Sequence, residues 1–214
     1  MANCHLSTES RRTFGNISKA DGCFSYMERK TRVRVLAISG SLRELSSNTA
    51  LLEAAAKLTP SDVELCLFAG LGELPPFNPD FDRSGAPGSV SRLRRTLSAC
   101  DAVLISSPEY AHGVPGVLKN ALDWIVGSGE LMAKPVGVIN ASARATHAWK
   151  SLVETLTVMS ADVIADASIV IPLQGTTLDA DGIASDAELA TLLRSAVAAL
   201  ANAARHRAVH ANSG

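Results

Sequence analysis

The chain has 214 residues, 47% apolar and 19% charged, with 20 Lys and Arg against 21 Asp and Glu for a formal net charge of -1. Length and apolar share describe one globular domain with its own core and exclude a disordered chain, a collagen or a long coiled coil. There is no basic stripe for nucleic acid and no stretch of eighteen apolar residues for a membrane helix, so neither partner is expected.

Residues 1–30 are polar, lack the apolar stretch of a secretory signal and are expected as a disordered extension. Met27 is a candidate translation start, because a short polar lead runs from it into the first strand. Strands are expected at 33–39, 62–68, 101–107, 135–141 and 162–171, nearly continuous apolar runs of the kind buried on both faces of a parallel sheet. Apolar residues recur at helical spacing between them: Leu51, Leu52, Ala55 and Leu58 in 48–58, then Val90, Leu93, Leu97 and Cys100 in 89–100. A third helix opens at Pro115 and repeats Leu118, Ala121, Leu122 and Ile125, and a fourth near 147–160 carries Trp149, Leu152, Val153 and Leu156. The last begins with Ser185, where Glu188 completes a capping box ahead of Leu189, Leu192 and Leu193. This alternation makes an α/β fold, a parallel sheet with helices on both faces, in one domain from 31 to 205 followed by a disordered tail over 206–214.

Cys4, Cys23, Cys66 and Cys100 form no C-x-x-C and share no ligand spacing with the five histidines, so no metal is expected. Cys66 and Cys100 read as small buried hydrophobes, in keeping with a reducing cytoplasm.

In an open doubly wound sheet, ligands bind beyond the carboxyl ends of the strands, where strand order reverses. After the first strand, the segment from Ser39 to Asn48 (SGSLRELSSN) brings hydroxyl, amide and backbone donors to a helix N-terminus, where a phosphate monoester fits. The same segment also reads as a serine-rich turn with Ser47 or Asn48 as an ordinary N-cap. Neither glycine-rich dinucleotide fingerprint nor triphosphate loop is present. After the third strand, SPEYAHGVPGVLKNALDW (107–124) sets Pro108 and Gly113 around a backbone whose edges at 108–111 can face a flat ligand. Tyr110 offers one aromatic face there, or is simply a half-buried loop tyrosine. Glu109 and His112 border the same pocket and read as loop-ordering residues.

Together, GSLRxxSxN (40–48) and PEYxxxxPGxLKNALDW (108–124) resemble the NADPH-dependent FMN reductases, flavodoxin-like proteins that include quinone, chromate and azo-dye reductases. The resemblance runs from 33 to about 170 and includes LGELPPFNPD at 71–80. It implies a flavodoxin-like three-layer fold, strand order 2-1-3-4-5, with FMN bound noncovalently. By the same implication Ser41, Arg43, Ser46 and Asn48 hold the FMN phosphate, while Pro108, Glu109 and Tyr110 line the isoalloxazine, partly through backbone amides. Ala111 stands where the family often has Asn. By the resemblance Ser142 approaches the ring from the other side, in a loop (141–146) that lacks the usual glycines; apart from the resemblance, Arg144 or His147 is a candidate for meeting the phosphates of the pyridine nucleotide instead.

The implied activity is hydride transfer from NADPH or NADH to FMN and on to a quinone, free flavin or similar small-molecule acceptor. The alternative is a flavodoxin-type electron carrier with no NAD(P)H oxidation of its own. Beyond residues 1–26 only six aromatics remain, and only Tyr110 falls in a ligand loop; a flavin so sparsely covered favours the reductase. No catalytic side chain is assigned. The resemblance implies a homodimer or homotetramer, and Trp124 beside Asp123 reads as an interface residue.

Overall fold

The computed structural model describes residues 32–173 and 178–211; the extension expected over 1–30 lies outside them. The apolar runs form strands β1 (Val33–Ser39), β2 (Val63–Leu67), β3 (Ala102–Ser106), β4 (Pro135–Asn140), β5 (Asp162–Val163) and β6 (Ile169–Val170). All pair in parallel, in the order β2-β1-β3-β4-β5, which is the expected flavodoxin-like order; β6 is a minor addition that also pairs with β4. The helices are α1 (Ser47–Leu58), α2 (Pro79–Ser84), α3 (Gly88–Ala99), α4 (Gly116–Val126), α5 (Thr146–Val158), α6 (Ala180–Ser185) and α7 (Ala187–Ala211).

Side chains alternate across each strand, so every central strand feeds two cores. Val35, Ala37, Leu65 and Leu104 pack with Leu51, Leu52, Leu193 and Val197 of α1 and α7. Leu36, Val103, Ile105 and Val138 pack on the other face with Leu93, Leu97, Leu118, Trp124 and Leu152 of α3, α4 and α5. Among the described residues, no helix is long and apolar enough to cross a membrane.

Several expectations are corrected. The run over 162–171 is not one strand, because a 3-10 turn at Ala165–Ala167 separates β5 from β6. Gly137 makes room for that turn: a Cβ there would lie 2.8 Å from the Ala167 carbonyl oxygen. The cap of α7 is Asp186, whose Oδ1 accepts from the amides of Glu188 and Leu189 at 3.0 Å each, while Ser185 closes α6. α7 then continues to Ala211, past the expected end of the domain.

Trp124 is fully buried rather than presented at an interface. Its Nε1 donates to the Pro75 carbonyl at 2.7 Å, Asn120 Nδ2 donates to the same oxygen at 2.9 Å, and the Phe77 ring meets the indole edge-on at 5.1 Å. Asn120 and Trp124 thus fasten the proline-rich segment after β2 onto α4, and Asp123 pairs with Lys119 at 2.5 Å. Finally, Cys66 and Cys100 are both buried, as expected, and Cys100 is a free thiol.

Candidate functional site

The loops after β1, β3 and β4 meet at the carboxyl edge of the sheet. The first turns away at Gly40, whose amide donates to the Ser106 carbonyl at 2.8 Å and whose missing Cβ would lie 2.5 Å from Ser107 Oγ. Only glycine lets the two loops approach so closely. The chain then reaches α1, which Ser46 caps by accepting the Thr49 amide on its Oγ at 3.4 Å. Ser41 Oγ likewise accepts the Arg43 amide, at 3.3 Å.

A hydroxyl that accepts a backbone N–H still has its own proton to give. Ser41 and Ser46, both buried, therefore each keep a hydroxyl proton to donate. Asn48 does the same by another route: its Oδ1 accepts from Ser106 Oγ at 3.0 Å, so its NH2 group is what remains for the cleft it lines. The first amides of α1 have no intrahelical acceptor, and no acidic residue occupies its first turn. This wall is built of donors and suits an anion.

Pro108 and Glu109 form the middle wall. Beyond them, Tyr110 and Gly113 exchange backbone hydrogen bonds of 3.1 and 2.9 Å around a two-residue hairpin turn. Ala111 and His112 hold φ of +49° and +59°, the type I′ geometry that asparagine and glycine adopt more readily. Tyr110 is half exposed, and the His112 ring stacks on His147 of α5 with centroids 4.4 Å apart. The Glu109 carboxylate turns away to the start of α5, where its Oε2 accepts the Ala148 amide at 2.8 Å; the cap residue Ala145 has no side chain to do so.

The third wall is organised by Asn140, a buried residue at the end of β4. Its Oδ1 accepts the Ser142 amide and its Nδ2 donates to the Ala145 carbonyl, each at 3.0 Å. The loop so wound presents Ser142 and Arg144 to the cleft.

The open cleft between these walls holds about 380 Å³, within the range of small-ligand and cofactor sites. Of the expected residues, Asn48, Pro108, Glu109 and Ser142 line it directly. Ser41 and Ser46 are buried in the adjoining β1–α1 loop, while Arg43, Tyr110 and Ala111 are exposed outside the lining. Ser107, Asn140 and Leu173 also line the cleft and are not among the expected residues. The signal for Asn140 in the sequence is that it is the polar residue ending an otherwise apolar strand.

The sequence signature of the family described as NADPH-dependent FMN reductase matches residues 33–175. The chain is 34% identical over 173 residues to an NAD(P)H-dependent FMN reductase of Pseudomonas aeruginosa, covering 78% of this chain and 93% of that protein. It is 37% identical to a 2-hydroxy-1,4-benzoquinone reductase of a Burkholderia species, over 53% of this chain and 62% of the relative. Among solved structures, a flavoenzyme NAD(P)H:(acceptor) oxidoreductase from Paracoccus denitrificans superposes with a TM-score of 0.66 at 29% identity, covering 81% of this chain and 98% of the other.

Proposed function

The chain belongs to the NADPH-dependent FMN reductase family, and on that premise we propose that it oxidises NADPH or NADH with FMN held in the cleft, passing the electrons to a quinone, free flavin or similar small-molecule acceptor. The observation that carries this reading is the donor set of the β1–α1 turn. Two buried serine hydroxyls and the Asn48 amide, each with its acceptor side already engaged, match the one strongly anionic group of FMN.

In this site Ser41, Arg43, Ser46 and Asn48 would hold the phosphate. Pro108, Glu109, Tyr110 and Ala111 would border the isoalloxazine. Glu109 serves there through its backbone, because its carboxylate is committed to Ala148, and Ala111 serves through the turn it forms. Ser142 closes the opposite side. Bound FMN supplies the hydride-accepting and electron-donating chemistry, and the protein contributes position and exclusion of water.

A homodimer or homotetramer in the cytoplasm, where nicotinamide nucleotides are held, completes the proposal. Leu42 and Leu45, 60% and 88% exposed on the β1–α1 loop, support an assembly contact beside the cleft.

The test is reconstitution with FMN followed by anaerobic assay of NADPH and NADH oxidation with benzoquinone. Protein that takes up no FMN refutes the reading. A yellow protein inert toward both nucleotides is a carrier instead.

A further inference from the structure

Arg34, Lys57, Arg92, Arg94 and Arg205 each pair with a carboxylate. Arg144 has no such partner among the described residues, although among them it is the one Lys or Arg that lines the cleft. Glu109, the carboxylate on the same cleft, points its Oε2 at the Ala148 amide and forms no ion pair with Arg144.

The backbone that carries Arg144 is fixed on both sides. Its amide donates to Ser142 Oγ at 3.3 Å, and its carbonyl accepts the Thr146 amide at 2.9 Å. Position separates this charge from the phosphate wall. The start of α1 follows β1 and the Arg144 loop follows β4, with β3 lying between them. Two strand spacings put the bases of the two walls roughly 10 Å apart. An anion held by Ser41, Arg43, Ser46 and Asn48 therefore leaves Arg144 for a second one.

We propose that Arg144 forms a second anion subsite, which binds a phosphate of the nicotinamide dinucleotide during hydride delivery. This rests on the reductase reading above. A guanidinium grips phosphate through paired N–H donors, and removing such a charge-assisted pair should weaken binding by roughly 10- to 100-fold. The group bound is either the 2′-phosphate, found only in NADPH, or the pyrophosphate, common to both nucleotides.

The experiment compares FMN-loaded wild type with Arg144→Met and Arg144→Lys. It reads KM for NADPH and NADH, the affinity for 2′,5′-ADP by calorimetry, and FMN affinity by flavin fluorescence. A rise in KM for NADPH alone, with weaker 2′,5′-ADP binding and partial rescue by Arg144→Lys, supports the subsite and assigns the 2′-phosphate. Equal rises for both nucleotides with FMN affinity unchanged support it and assign the pyrophosphate. Unchanged KM values overturn it, as does loss of FMN affinity without an effect on the nucleotides. Failure of the reductase reading shows separately, as wild type that binds no FMN.

Discussion

Ser106, the last residue of β3, donates its hydroxyl to Asn48 Oδ1 at 3.0 Å, and both residues are buried. The bond crosses the point where chain order reverses between β1 and β3, and it decides which end of the Asn48 amide the cleft sees. Replacing Ser106 with Ala should lower FMN affinity by about tenfold, the weight of one neutral hydrogen bond. Asn48→Asp, which would put a carboxylate where the proposed site takes the phosphate, should weaken binding by roughly 10- to 100-fold, the weight of a hydrogen bond to a charged group. Fluorescence titration of apoprotein with FMN reads both, and a Ser106→Ala protein that binds like wild type sinks the account.

Gly40 is held by contact rather than by conformation. A methyl group there would meet Ser107 Oγ at 2.5 Å and Ser107 Cβ at 3.0 Å. Gly40→Ala should destabilise the fold by about 1–3 kcal/mol, as overpacking does. Urea unfolding measures it.

The hairpin at Ala111 and His112 carries two left-handed residues with side chains. Ala111→Asn should therefore raise stability by roughly 0.5–1 kcal/mol, since asparagine tolerates this region better than alanine. Thermal melting checks the sign; a lower midpoint would contradict the strain.

Asp82 accepts both guanidinium nitrogens of Arg94, at 2.8 and 2.9 Å. The hydrogen bond from Arg94 holds the Asp82 carboxyl below its ordinary value. A folded-state value below the unfolded one adds stability above the ordinary carboxylate range and loses it as pH falls through the folded value. Asp82→Asn should accordingly be less stable than wild type at pH 7, and the difference should shrink below about pH 4, where the carboxylate gains its proton in the unfolded chain. Parallel urea midpoints across that range would show that the pair contributes nothing.

The parallel sheet and its two helix layers are legible because the central strands are apolar at nearly every position, which only a sheet covered on both faces accommodates, whereas the strand order is legible only through the family resemblance. The break between β5 and β6 is not, because it depends on Gly137 meeting Ala167 across a strand pair. Trp124 departs from its sequence reading for a related reason: the carbonyl that satisfies its indole belongs to Pro75, far back along the chain. Ser185 and Asp186 are both good caps, and the short α6 that claims Ser185 carries little periodic signal of its own. At the site, Asn48, Pro108 and Glu109, which line the cleft, are legible as motif residues, and Ser142 by its place in the loop after β4. Asn140 is hidden at the end of a strand, and its role depends on a loop that folds back over it.

The carboxylate that runs from Glu109 to the Ala148 amide joins the loop after β3 to the helix after β4. Two walls of the cleft are thereby one rigid jaw, and parting them would strand a buried-edge charge and uncap a helix together.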